Sequence, residues 1–214
     1  MKDEELRDEI SFYEEFFKIK YSPENWWILK FNGEHFIKLY ANLQEIPEEG
    51  IKIMEVFEFK HRLWSARMIL GIGCELIIKS AYLKKGFIIN KFLQKKNLPK
   101  NILRNEFIYR FTNFKSIKGG AFPYLDYKVH SIRKLIENLS LLFDQKMDES
   151  FINENILLGF QISRIWRNSY AHGPRSPHDI FGNENELIFS ALDNLYEQVF
   201  NERFDLLKDK KLIS

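Results

Sequence analysis

Arginine and histidine stand five residues apart in the stretch of this sequence that is richest in reactive side chains, residues 164–174. Arg167 is followed directly by Asn168, and His172 precedes a Gly-Pro pair. A guanidinium stays charged at physiological pH and can hold a phosphate through two hydrogen bonds. An imidazole with an unperturbed pKa of about 6.5 can accept and return a proton near neutrality. The pair therefore indicates phosphodiester chemistry.

The position of His172 depends on where its helix ends. On a continuous helix, five residues turn two side chains about 140° apart. Gly173 and Pro174 stop the helix, because glycine favours a left-handed end and proline moves the preceding residue out of the α region. We therefore expect His172 at a helix C-terminus, where the chain can turn the imidazole back toward Arg167 and the helix dipole favours its protonated form.

Other interpretations of these residues stay open. His172 is also suited to cap a helix, and Arg167 to form a surface ion pair. His172, His178 and Asp179 do not complete a tetrahedral ligand set, so we expect no metal and no other cofactor. The sequence shows no glycine-rich phosphate loop and no serine or cysteine nucleophile motif.

Apolar residues recur at helical spacing through most of the chain, which predicts an all-α protein. The 214 residues, 45% of them hydrophobic, suit one helical domain over residues 49–212 with an N-terminal extension over residues 1–48. Predicted helices span residues 1–20, 36–43, 51–85, 130–143, 151–171 and 185–207. The helix over 51–85 is the expected spine; Gly71 and Gly73 are candidate kinks, and Gly86 is its predicted end.

The extension contains a short aromatic run, residues 26–33, that begins with Trp26 and Trp27 and closes with an Asn-Gly pair. This pattern fits either a strand or a short helix ended by a turn. We expect the tryptophans to anchor the extension on the bundle or on a partner subunit. Stacking on nucleic-acid bases is the alternative.

Positive charge is concentrated between Lys79 and Lys134, which holds 14 Lys and Arg against two acids. Aromatic residues interleave with these charges, as suits phosphate neutralisation and base stacking on RNA. The alternative is a solvated basic face over a small aromatic core. Residues 86–129, interrupted by glycine and proline, are predicted to form short helices and loops. The candidate RNA-binding residues are Lys91, Lys95, Lys96, Lys100, Arg104, Arg164 and Arg175.

A reducing, cytoplasmic location is expected from three features. The single cysteine, Cys74, excludes an internal disulfide. The acidic N-terminus does not resemble a signal peptide. The most apolar stretch, residues 68–83, is interrupted by Glu75 and Lys79, so it predicts a core helix and no membrane span.

These motifs together resemble the HEPN (higher eukaryotes and prokaryotes nucleotide-binding) superfamily, over roughly residues 50–210. Arg167-Asn168-Ser169-Tyr170-Ala171-His172 fits the family's Arg-polar…His motif. Residues 75–86 resemble its upstream helix, and residues 127–135 resemble the short helix that precedes the motif. Pro174 departs from members paired with nucleotidyltransferase antitoxins, which often carry tyrosine there.

The resemblance implies an up-and-down helical bundle that acts as a homodimer, with the two Arg–His pairs meeting across the interface. It implies a metal-independent RNA endonuclease in a toxin–antitoxin, abortive-infection or other anti-phage defence role, with an antitoxin or defence protein as a further partner. Arg167, His172 and Asn168 would be catalytic. Supporting roles fall to Glu75, Lys79 and Tyr170, although Glu75 and Lys79 also fit an exposed ion pair.

The main alternative is a non-catalytic helical module that binds RNA or a protein. A DNA-binding regulator would need a helix-turn-helix pair, and the sequence offers no convincing one.

Overall fold

The computed structural model describes residues 25–44, 56–92, 102–105, 108–111, 125–143, 154–171 and 183–206. Its α-helices are α1 (Trp26–Gln44), α2 (Val56–Lys84), α3 (Ile132–Glu137), α4 (Glu154–Ala171) and α5 (Glu184–Leu195). The strands are β1 (Phe87–Ile88), β2 (Asn90–Phe92), β3 (Ile102–Asn105), β4 (Ile108–Phe111) and β5 (Leu125–Val129). The predicted helix over residues 1–20 lies outside the described residues.

Helix α1 packs antiparallel along α2. Ser80 Oγ donates to the Trp26 carbonyl at 2.8 Å, and at the other end Arg62 Nε donates to the Leu43 carbonyl at 2.8 Å. Between these contacts Gly33 meets Gly73: a Cβ on either glycine would lie 3.0 Å from the other's carbonyl oxygen. One prediction from the sequence is wrong here, because the Asn-Gly pair lies inside α1 and ends neither a strand nor a short helix. Gly73, a candidate kink, is a contact surface for α1.

The same helix also packs against α5, which closes the bundle. Tyr40 Oη donates to Asn185 Oδ1 at 2.7 Å, and Tyr196 Oη donates to Glu34 Oε1 at 2.9 Å. The order of these contacts makes α1 and α5 antiparallel. Residues 25–44, predicted to be part of an extension, thus contribute Leu29, Ile37, Tyr40 and Ala41 to the common core.

The last helix ends earlier than the predicted residue 207. After Leu195 the backbone widens into a π-helical turn, Tyr196–Phe200, and Asn201 then adopts a left-handed conformation with φ 56°. Lys84 Nζ donates to the Phe200 carbonyl at 3.1 Å, and Lys30 Nζ lies 2.6 Å from Glu202 Oε2. These two lysines hold the C-terminal segment against α1 and α2.

The basic segment contains strands where short helices and loops were predicted. Strands β1, β4 and β3 form one antiparallel sheet in that order, and β2 pairs with β5 in a second. The first sheet begins at Phe87 and the second at Asn90, after α2 has ended at Lys84, two residues before the predicted Gly86. Gly86 has a φ of 86°, which breaks the helical path. Strands of two to five residues are too short to show the alternation by which a strand is recognised.

Helix α3 is shorter than the predicted 130–143. Ser131 Oγ accepts the Lys134 N–H at the start, and a 3₁₀ turn, Leu139–Leu142, follows. Tyr82 Oη lies 2.7 Å from both the Leu135 and Asn138 carbonyls, where the helix ends.

The core of the molecule is built from helices, which confirms the all-α prediction for the core. The two small sheets are an addition to it. Among the helices described, none is long and apolar enough to cross a membrane.

Candidate functional site at the α2–α4 crossing

Gly71 is the point where α2 and α4 meet. A Cβ on this residue would lie 2.4 Å from the Ser163 carbonyl oxygen and 2.6 Å from the Arg167 Cβ. Both distances are far below a van der Waals contact, so only glycine allows the two backbones to approach this closely. The crossing fixes the base of the Arg167 side chain against the middle of α2.

The next two turns of α2 present Glu75 and Lys79 on the same face, since residues four apart are neighbours on a helix. Lys79 Nζ lies 2.6 Å from Glu75 Oε1, and Arg167 Nε lies 3.2 Å from Glu75 Oε2. The second contact has ion-pair distance but lacks hydrogen-bond alignment. One carboxylate therefore lies between two cations.

Burial distinguishes the members of this charge group. The side chains of Lys79 and Glu75 are 8% and 14% exposed, whereas that of Arg167 is 40% exposed. The interpretation of Glu75 and Lys79 as an exposed ion pair is therefore wrong. The group carries one net positive charge, and its outermost member is the arginine.

Asn168 completes the cluster from the α4 side. Arg167 Nη1 donates to Asn168 Oδ1 at 2.9 Å, so the polar residue after the arginine orients the guanidinium. The two contacts engage Nε and Nη1, and a guanidinium has five N–H donors in a fixed plane. This geometry is suited to hold a phosphate or carboxylate at the outer edge of Arg167.

Buried side chains adjoin the charge group in sequence on both helices. Trp166 is buried, and the Arg67 guanidinium stacks 4.8 Å from the centre of its ring. Cys74 is fully buried beside Ser163, and burial raises the pKa of its thiol to about 12.

The structure brings together four of the six predicted catalytic and supporting residues: Arg167, Asn168, Glu75 and Lys79. His172 lies outside the described residues. Tyr170 belongs to the last turn of α4, of which only the backbone is described. The roles assigned to all six stay predictions.

The candidate RNA-binding residues are distributed over separate elements. Lys91 lies in β2, and Arg104 lies in β3 opposite Tyr109 of β4. Arg164 shares α4 with Arg167, and its charge contributes to lowering the pKa of Glu137, which is set mainly by a hydrogen bond from Arg133. Lys95, Lys96, Lys100 and Arg175 lie outside the described residues.

Two residues of the site were missed by the sequence reasoning. Gly71 was interpreted only as a candidate kink, and Arg67 was not considered. A signal existed, because residues 67, 71, 75 and 79 recur every four positions and so share one face of α2. A glycine within a polar stripe of that kind indicates a helix crossing beside charged groups.

Among the described residues, no three His, Cys, Asp or Glu side chains converge as a metal site would require. Comparison of the chain with protein-family models, with curated proteins and with solved structures gives no match.

Proposed function

We propose that this chain is a metal-independent RNA endonuclease of the HEPN type, acting as a homodimer in a toxin–antitoxin, abortive-infection or other anti-phage defence role. The observation that carries the proposal is the Arg167 guanidinium at the end of α4, held by Glu75 and Asn168 and partly open to solvent. The motif supplies His172 five residues later.

The proposed reaction uses the RNA's own 2′-hydroxyl as nucleophile. A base, assigned to His172, takes the 2′-hydroxyl proton as the 2′-oxygen bonds to the adjacent phosphorus. The bond from phosphorus to the 5′-oxygen breaks, and an acid returns a proton to that oxygen, leaving a 2′,3′-cyclic phosphate and a 5′-hydroxyl. The second subunit's Arg–His pair supplies the second proton-transfer group.

Arg167 would stabilise the charge that develops on the non-bridging phosphate oxygens. A preorganised donor of this kind is worth more than a mobile one, because it need not reorient during the reaction. Glu75 restrains the guanidinium of Arg167. The charge group of Glu75, Lys79 and Arg167 stays positive as a whole, because Lys79 balances the Glu75 carboxylate. Asn168, the third residue proposed as catalytic, would orient the phosphate or His172, and Tyr170 would have a supporting role.

The decisive experiment is cleavage of an end-labelled single-stranded RNA in EDTA by wild type, Arg167→Ala and His172→Ala. Wild type should cut and leave 2′,3′-cyclic ends, and each substitution should reduce the rate by roughly 100-fold or more. Matched controls are Arg203→Ala and His35→Ala, whose side chains are exposed elsewhere on the surface. These controls should cut like wild type.

Equal residual cutting by wild type and His172→Ala would indicate a contaminant and contradict the proposal.

A second candidate function is a non-catalytic helical module that binds RNA or a protein and keeps the motif for its structure. The contacts of Arg167 with Glu75 and Asn168 suit this function as well, because a purely structural arginine would also form them. Binding of RNA without cleavage, weakening steeply with salt, would establish that function instead.

A further inference from the structure

The outer face of α1 carries exposed apolar side chains. Trp27 is 57% exposed and Phe31 66% exposed, and Leu39 is also exposed. With His35 they recur every four residues, forming a stripe that we call the α1 outer face. The opposite side of α1 is buried against α2 and α5, so the helix is apolar on both sides.

This arrangement is concentrated in one place. Of the four large hydrophobic side chains that are exposed in the described part of the chain, three belong to this stripe; Ile165 on α4 is the fourth. Isolated exposed apolar residues are ordinary, whereas a contiguous group indicates a surface that another segment covers.

The size of the stripe limits what can cover it. It extends about 18 Å along the helix, and its two aromatic side chains offer roughly 250 Å² of uncovered area. A separate protein or a second copy of the chain needs about 800 Å² per partner for a stable interface. A segment linked to α1 needs far less, because its effective concentration is in the millimolar range.

We propose that residues 6–17 of the same chain cover the α1 outer face. Their apolar residues, Leu6, Ile10, Tyr13, Phe16 and Phe17, recur at helical spacing over a length similar to that of the stripe. Residues 21–25, which include Pro23, separate the segment from α1. Five residues suffice to reverse the chain between two antiparallel helices.

Antiparallel pairing fixes the register. Phe17 then faces Trp27, Tyr13 faces Phe31, and the residue numbers of opposed positions sum to about 44. Charge agrees with this pairing, since residues 1–15 hold seven acids and two basic residues, and α1 exposes the positively charged Lys38 beside the stripe.

Disulfide trapping in the full-length chain tests the register. The pair Glu9→Cys and His35→Cys places two thiols opposite each other in the proposed register. The control pair is Lys2→Cys and His35→Cys. Residue 2 lies on the same helix face as residue 9 but two turns away, so its thiol is about 10 Å from that of residue 35 along the axis. Cys74 is fully buried and does not compete. At micromolar protein, the first pair should close within one chain at least about 10-fold faster than the second.

Equal rates for the two pairs would overturn the proposal. Disulfides between chains that increase with protein concentration would also overturn it, and would identify a second copy as the occupant.

Tryptic cleavage is a second measurement. Phe31→Ser should increase cleavage after Lys18 and Lys20 by about 10-fold, because cleavage requires the segment to leave the α1 outer face. Gln161→Ser, at an exposed position on α4 away from this face, is the control; unchanged cleavage in Phe31→Ser would contradict the assignment.

Discussion

Gly71 lies directly beneath Arg167, so closely that a single methyl group on residue 71 would occupy the space of the Arg167 Cβ, 2.6 Å away. The positions of the guanidinium and of its carboxylate partner Glu75 both follow from this contact. Glu75 is one helical turn beyond Gly71 on α2, and the crossing therefore sets the 3.2 Å distance between Arg167 Nε and Glu75 Oε2.

Gly71→Ala should destabilise the protein. Alanine is the better helix former by roughly 1 kcal/mol, but its methyl group would clash with the Ser163 carbonyl oxygen at 2.4 Å. Forcing the helices apart costs about 1–3 kcal/mol, so the free energy of unfolding in urea should fall. Ser65→Ala, at an exposed position on the same helix, is the control and should change it by less than about 0.5 kcal/mol. A Gly71→Ala protein as stable as wild type would contradict the crossing geometry.

The Glu75–Lys79 pair should show strong energetic coupling. In a double-mutant cycle with Glu75→Gln and Lys79→Met, each single substitution breaks an ion pair whose two side chains are largely buried. We expect a coupling energy of about 1–3 kcal/mol from urea unfolding. The exposed Arg133–Glu137 pair has the same i,i+4 spacing and a similar distance, 2.7 Å, and serves as the comparison; its coupling should be distinctly weaker. Similar coupling for both pairs would mean that the α2 pair is solvated.

Cys74 should be unreactive in the folded protein. Burial raises the pKa of its thiol to about 12, so almost no thiolate exists at pH 8.5, and the surrounding core excludes the reagent. Iodoacetamide should modify it only after unfolding in urea, as measured by intact mass. Ser65→Cys adds an exposed thiol as an internal control; modification of both cysteines at equal rates under native conditions would contradict the burial of Cys74.

Alkaline pH should unfold the protein cooperatively. Burial raises the pKa values of Tyr40, Tyr82 and Tyr196 above the ordinary value of about 10. Each group favours the folded state below its unfolded pKa, and this stabilisation is lost as pH rises from there toward the folded value. Absorbance of tyrosinate at 295 nm should therefore rise in two phases, the later one coinciding with loss of helical circular dichroism. Tyr82→Phe should shift the second phase to higher pH, whereas a single phase without unfolding would show that these hydroxyls are accessible.

The long helices could be predicted from the sequence because their apolar periodicity extends over many turns. Helix α2 ends at Lys84, two residues before the predicted Gly86, and α4 is helical through the predicted Ala171, the last residue described there. What the sequence could not convey was contact between distant residues. Gly33 resembles a turn residue beside Asn32, and only the proximity of Gly73, forty positions away, explains its place inside a helix.

The candidate site was predictable in part for the same reason. Arg167 and Asn168 are neighbours in sequence, and Glu75 and Lys79 are one turn apart, so each pair was recognisable locally. That the two pairs meet depends on the α2–α4 crossing. The basic segment was less accessible, because strands as short as β1 and β2 carry no periodic signal and gain their stability from pairing with β4 and β5.

Two tyrosine hydroxyls join α1 to α5 and to the π-helical turn after it, which has a consequence for the order in which the molecule can assemble. Tyr40 bonds to a residue 145 positions later, and Glu34 accepts from a residue 162 positions later. During synthesis the first described helix therefore emerges long before the helix that completes its burial. Contacts of such high sequence separation slow folding and leave apolar surface exposed in the nascent chain. The apolar residues of α1 that face α5 should accordingly become buried only after α5 has left the ribosome.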